Sequence, residues 1–219
     1  MSLVLAIGNK SYSSWSMRPW MLLEGFGIPF EEVVIPLYVD GSKETILKTS
    51  PSGKVPALMD GDVTIWDSLS ICEYVAETFP QHAIWPKDKA ARALARSMSA
   101  EMHSSFQALR QLCPMVVHRP RSPADFTADA LADIARIEAM WASARARWGN
   151  GGPFLFGAFS AADAMFAPIV VRFDNYCAPV SAATRAYMDA IAATPAWKKW
   201  MAGAASETWR IARFEPGPA

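Results

Sequence analysis

The chain holds little cysteine and little histidine, three of each among 219 residues. Cys72, Cys113 and Cys177 are odd in number and widely spaced. That excludes a disulfide framework, a CxxC redox pair and a zinc pattern. They read as small buried residues of a reducing, cytoplasmic protein. His82, His103 and His118 lack the i, i+4 spacing of a helical metal site, so no metal is expected. An excess of charge is lacking too. Lys and Arg number 21, Asp and Glu 21, and the net charge is +0 with no basic run. Nucleic acid and anionic membranes are therefore poor partners. No apolar stretch approaches the length of a membrane span. Met1-Ser2-Leu3 opens without the basic and apolar regions of a secretory leader, so none is expected. A GxSxG turn and a GxGxxG loop are missing as well. Gly53-Lys54 could pass for the end of a phosphate loop, but it lacks the upstream glycine and the following hydroxyl residue.

Apolar material is what the sequence has in quantity. It is 52% hydrophobic, with nine Trp and 11 Met, enough for a sizeable core in one or two domains. Up to about Pro80, strand and helix signals alternate. Met1 to Gly8 reads as a buried strand, Met17 to Phe26 as a helix stopped by Gly27, and Phe30 to Pro36 as a second strand. Ser42 to Thr49 fits a short helix or a loop. Val55 to Met59 and Val63 to Trp66 form a hairpin about Asp60-Gly61-Asp62. Asp67 or Ser68 then caps a helix running to Thr78, with an apolar stripe at Leu69, Cys72, Ala76 and Phe79. This order predicts a small mixed-sheet α/β domain over residues 1–80. Residues 81–87, with Pro86, read as a linker.

Strand signals disappear over 88–219, which predicts an all-α domain. Leu94, Met98, Met102, Ser105, Leu109 and Leu112 trace one face of a long helix broken at Pro114. Ser122-Pro123 starts a second, carrying Ile134, Ile137, Trp141, Ala144 and Trp148. A third follows Ser160, where Ser160-Ala161-Ala162-Asp163 is a capping box with Asp in the place of Glu. A fourth spans Ser181 to Ala193, and a short one begins at Pro195 with Trp197 and Trp200.

The stretch from Lys10 to Trp20 gathers hydroxyls, a cation and a helix start. Proline is tolerated in the first turn of a helix, so Pro19 places the N-cap between Trp15 and Arg18, with Ser16 the best capping residue. Ser13 and Ser14 then lie just before a helix N-terminus, where unpaired amides and the positive dipole end favour an anion. Two readings stay open here: an ordinary capped turn, or a hydroxyl aimed at a bound anion. Arg18 either supports such a site at second hand or pairs on the surface. Asp67-Ser68 offers a carboxylate, a hydroxyl and free amides, a set suited to an amino-acid head group.

Four segments in order carry a resemblance: the serine turn, Ser50-Pro51-Ser52-Gly53-Lys54-Val55-Pro56-Ala57-Leu58, Asp67-Ser68-Leu69-Ser70-Ile71, and Ser160-Ala161-Ala162-Asp163. Over nearly its whole length the chain resembles the cytosolic glutathione transferases of the serine type, the zeta class most closely. The resemblance implies a thioredoxin-like first domain, a helical second domain and a homodimer. It implies glutathione as co-substrate and transfer to a small hydrophobic electrophile. A maleylacetoacetate-type isomerase and a non-enzymatic glutathione-binding protein are the alternatives. Ser13 aligns with the family's catalytic serine, with Ser14 and Ser16 behind it. The Val55 backbone, beside Pro56, would pair with the cysteinyl part of glutathione. Lys54 would lie near its glycyl end, and Asp67 and Ser68 would take its head group. Met102, Phe106 and Arg172 are the candidates for the electrophile pocket, and Glu101 for a carboxylate offered across a dimer. Trp15 stands where the zeta pattern has cysteine, and Trp20 and Asp67 replace an arginine and a glutamine. These departures bear on the isomerase activity and not on glutathione binding.

Overall fold

A computed structural model describes residues 3–215. Met1 and Ser2, which the sequence reading includes in the first strand, lie outside the described residues. The first part of the chain is β1 (Leu3–Ile7), α1 (Ser14–Gly25), β2 (Phe30–Val34), α2 (Ser42–Thr49), β3 (Ala57–Asp60), β4 (Val63–Trp66) and α3 (Ser68–Thr78). The strands form one sheet in the order β2-β1-β3-β4. β1 runs parallel to β2 and antiparallel to β3, and β4 returns antiparallel to β3. This is the thioredoxin-like arrangement. Alternation along β1 divides two cores, because successive side chains leave opposite faces of a sheet. Leu3, Leu5 and Ile7 enter the main core with α1 and α3. Ala6 faces the other way, into a small cluster with Ile35 and Ile46 of α2.

The second part is helical: α4 (Lys89–Ser104), α5 (Gln107–Leu112), α6 (Ala128–Trp148), α7 (Ala161–Asn175), α8 (Ala182–Ala193) and α9 (Pro195–Ser206). A short 3-10 turn follows at Ala212–Phe214. α7 is buried on nearly every side and packs against α1, α4 and α8. A helix apolar all round has to lie inside. Its first turn carries the expected capping box in both directions. Asp163 also accepts from the Leu155 amide at 3.1 Å and the Tyr187 hydroxyl at 3.1 Å, so four donors converge on one buried carboxyl group.

Several sequence expectations need correction. α1 begins at Ser14, not Met17, so Pro19 lies in its second turn. The single bond that proline forgoes there would have ended on the Trp15 carbonyl. The buried stripe of α3 is Ser68, Ile71, Cys72 and Val75, while Leu69, Ala76 and Phe79 are only partly covered. The first long helix stops at Ser104, well before Pro114, because Phe106 turns into the left-handed region (φ 66) to bury its ring. Packing there outweighs a backbone cost of about 1–3 kcal/mol. α6 starts after the Thr127 cap rather than at Ser122-Pro123. The amides of Ser122 and Ala124 bond instead to the carbonyls of Asn175 (3.0 Å) and Tyr176 (3.2 Å) at the end of α7.

Candidate functional site

β1 delivers the chain to Asn9, whose carbonyl accepts the amides of Tyr12 (3.1 Å) and Ser13 (2.8 Å) and closes a turn. Ser13 then caps α1. Its Oγ accepts from the Ser16 amide at 3.4 Å and donates to Ser16 Oγ at 2.7 Å. Ser16 Oγ accepts in addition from the Gly8 amide at 3.0 Å, and the residue is fully buried. Ser16 is therefore a strut tying the end of β1 to the first turn of α1, and the expectation that it is the cap fails. The helix starts earlier than Pro19 was taken to allow, which gives the cap to Ser13. Ser14 Oγ accepts from Arg172 Nη2 at 3.4 Å.

A cavity of about 750 Å³ opens at this turn, between the sheet-bearing part and the helices. Ser13, Ser14, Trp15, Lys54 and Val55 line it from one side, and Arg110 and Arg172 from the other. Tyr38 and Phe214 stack edge to face at its border, with ring centroids 6.1 Å apart. Lys54 is exposed, and Val55 precedes Pro56 across a cis peptide bond just before β3. Pro56 and Ser16 are buried away from the cavity surface. Met102 and Phe106 do not line it either. Both belong to the main core, because α4 turns its apolar face inward and the chain bends away at Phe106. Of the three residues expected at the electrophile pocket, Arg172 alone reaches the cavity.

Asp67 and Ser68 sit beside this cavity and not in its wall. Asp67 caps α3, with Oδ1 accepting from the Leu69 amide at 2.8 Å and Oδ2 lying 3.1 Å from His103 Nε2. The Ser68 hydroxyl is buried and accepts from Arg18 Nη1 at 3.4 Å. Glu101 is not a free carboxylate. Arg136 of α6 grips it through two bonds, at 2.7 and 2.8 Å.

Basic side chains outnumber acidic ones around the cavity, with Lys43, Lys54, Arg110 and Arg172 against Asp40 and Glu44. Arg18 is buried and not on the surface. Beyond Ser68, its only hydrogen bond among the described residues is from Nη2 to the Met102 carbonyl at 3.4 Å, and Nε has no partner among them. Its guanidinium lies 4.3 Å from the Trp15 ring centroid, and that of Arg110 lies 5.3 Å from the same ring. Arg172 spends its guanidinium on the Cys113 carbonyl (2.9 Å), the Pro168 carbonyl (3.2 Å) and Ser14. None of the three forms an ion pair among the described residues. Burial, and then the neighbouring arginines, push Arg18 down to about 9, and burial with Arg110 does the same to Arg172, so both remain cationic near neutrality. Among the described residues no cysteine lines the cavity, and the two buried thiols are withdrawn. Burial holds Cys72 up at about 12 and Cys113 at about 11. The turn can therefore receive an anion, and a thiolate there has to come from a ligand.

Residues 12–78 match the family description glutathione S-transferase, N-terminal domain, and residues 103–203 match glutathione S-transferase, C-terminal domain. The chain belongs to the glutathione S-transferase family. It is 37% identical over 106 residues to the maleylacetoacetate isomerase of Rattus norvegicus, covering 47% of this chain and 48% of that one. It is 37% identical over 102 residues to a zeta-class glutathione S-transferase of Euphorbia esula, covering 46% and 45%. The chain thus spans about half the length of the curated relatives it matches. Among solved structures, a glutathione transferase homologue from Burkholderia superposes with a TM-score of 0.70 over 94% of this chain and 100% of that one, at 22% identity. Glutathione transferase F2 of Populus trichocarpa gives a TM-score of 0.70 over the same shares at 20% identity.

Sequence reasoning missed Tyr12, Arg110, Tyr38 and Phe214 as cavity residues. Arg110 carried no signal, because a polar residue between Leu109 and Leu112 is what any amphipathic helix shows. Tyr12 adjoins Ser13, but its hydroxyl bonds Glu215 and accepts from the Ile211 amide at 3.2 Å. Burial and Glu215 raise it to about 12. The strut and the cap differ in what their loss exposes. Ser16→Ala leaves the buried Gly8 amide without an acceptor and is expected to cost about 2 kcal/mol. Ser13→Ala removes a cap and is expected to cost about 1 kcal/mol. Urea unfolding midpoints at unchanged slope measure both. Equal midpoints for Ser16→Ala and wild type would remove the strut.

Proposed function

We propose that this chain is a glutathione transferase that binds glutathione at the α1 turn and activates its thiol as thiolate. The observation carrying this reading is the convergence of Ser13, Ser14, Lys54 and Val55 on one cavity at a helix N-terminus, with buried, unneutralised arginines behind it. A free thiol of this kind has a pKa of about 8.5, so little is thiolate at pH 7. Each pKa unit removed is worth about 1.4 kcal/mol. Ser13, at the cap, turns its hydroxyl proton from Ser16 to the sulfur, and the dipole end adds to the effect. The thiol proton leaves to solvent, the thiolate forms a C–S bond to the electrophile, and the leaving group or added proton completes the transfer. The Val55 backbone pairs with the cysteinyl segment as a strand adds to a sheet edge. Lys54 meets the glycyl carboxylate, Asp67 meets the ammonium, and the α3 amides take the γ-glutamyl carboxylate. In this reading residues 1–80 form the glutathione-binding domain, 81–87 the linker and 88–219 the electrophile-binding domain, and the protein works in the cytoplasm.

One observation favours a second reading. Arg110 and Arg172 face the cavity without carboxylate partners among the described residues, which suits a second substrate that itself carries a carboxylate. Maleylacetoacetate, named in several relatives, is such a molecule. There the thiolate adds to the cis double bond, the new single bond rotates, and elimination returns the thiolate with a trans product.

A panel of neutral and carboxylate-bearing electrophiles, run with and without glutathione, separates the readings. Conjugates with stoichiometric loss of thiol are expected for transfer, and cis-trans conversion with thiol conserved for isomerisation. No glutathione binding by calorimetry would overturn both. We further propose a two-fold homodimer, supported by Val63 and Trp66, half-exposed on β4 at the sheet edge. Light scattering should give twice the 24.0 kDa chain mass at micromolar concentration, and a single chain mass would contradict it.

A further inference from the structure

The histidine at the end of α4 has a place in this site that its position on a polar helix face does not suggest. His103 Nε2 lies 3.1 Å from Asp67 Oδ2, joining the end of α4 to the start of α3. Asp67 Oδ1 is already fixed by the Leu69 amide at 2.8 Å, so both carboxylate oxygens are held. Asp67 has φ 76, an uncommon conformation for a non-glycine residue, and the two bonds keep its carboxylate aimed. The imidazole is itself clamped. The Trp15 ring meets it edge to face with centroids 4.9 Å apart, and Nδ1 is buried with no hydrogen-bond partner among the described residues. That pattern selects one form. The neutral ring donates from Nε2 and leaves Nδ1 bare, whereas the charged ring would bury an N–H with nothing to accept it.

We infer that His103 is a positioning residue of the head-group subsite, holding Asp67 in place as a neutral donor and releasing its grip on ligand when it is protonated. The inference rests on the reading that Asp67 meets the ammonium of glutathione. The groups facing His103 are Asp67 from the start of α3, Trp15 with Arg18 behind it from α1, and Arg110 from α5. On its own helix, Glu101 is turned to Arg136. Burial lowers the proton affinity of His103, Asp67 raises it, and Arg18 and Arg110 lower it further, the net direction being down. The neutral form therefore holds at neutral pH, and protonation comes only below the usual histidine range. A cation at Nε2 then competes with the ligand's ammonium for one carboxylate.

The test is calorimetric titration with S-methylglutathione, which has no thiol to titrate, from pH 5 to 7.5. Wild type should lose affinity towards the acid end of that range, below the usual histidine titration. His103→Gln keeps an N–H donor but has no proton to gain, so it should match wild type at pH 7.5 and show no acid loss. His103→Ala should weaken binding about tenfold at pH 7.5 and, with no ring to protonate, should show no further acid loss. A profile for His103→Ala identical to wild type would overturn the role of His103 while leaving glutathione binding intact. An acid loss that persists in His103→Gln would overturn the protonation step. Absence of binding in wild type would instead remove the glutathione reading and this inference with it.

Discussion

The rest of the structure depends on α7 being buried on nearly every side. A helix in that position cannot leave a polar group unpaired without a cost of about 1–3 kcal/mol each, and it carries three such residues. Asp163 at the start is closed by four donors. Asn175 at the end bonds the Val116 carbonyl at 2.8 Å. Arg172, between them, reaches out of the core through Cys113 and ends on Ser14. One helix thus fixes the floor of the helical part and delivers a guanidinium to the first turn of α1, against which it packs. Fold and site share the same contact.

At that contact the chain concentrates positive charge that it does not neutralise. Arg18 and Arg172 are buried, Arg110 is half-buried, and the N-terminus of α1 points the same way. A buried ion without a partner is costly, by several kcal/mol. The chain tolerates this because carbonyls, the Trp15 ring and serine hydroxyls share the charge. A site held in this state stabilises an arriving anion without first reorganising. In the proposed reading that is the physical content of thiol activation, and the same charge would serve a carboxylate on a second substrate.

Much of the fold was legible because its signals are local. The Asp60-Gly61-Asp62 turn set the β3–β4 hairpin, and the Asp67-Ser68 pair set the start of α3, where the structure gives the cap to Asp67. Ser160 with Asp163 set the start of α7. What failed was set by tertiary packing. Phe106 breaks a helix that its periodicity continues, and the segment before α6 finds its partners on α7, far away in sequence. Ser13, Ser14, Lys54 and Val55, which come from the motif segments, line one cavity, and Arg172, which belongs to no motif, lines it too. Met102 and Phe106 do not, because apolar residues at helical spacing look the same facing a pocket or a core. The pairing of His103 with Asp67, and of Glu101 with Arg136, depends on how helices cross and leaves no trace in spacing.

The central claim is that the Ser13 hydroxyl at the head of α1 lowers the proton affinity of a bound thiol. Ultraviolet titration of the thiolate of bound glutathione, in wild type and in Ser13→Ala, tests it most directly, with Ser14→Ala as the neighbouring control. In wild type the thiolate should form well below the free value of about 8.5, with an upward shift of about one unit or more in Ser13→Ala and a smaller one in Ser14→Ala. Superimposable titrations of wild type and Ser13→Ala would contradict it.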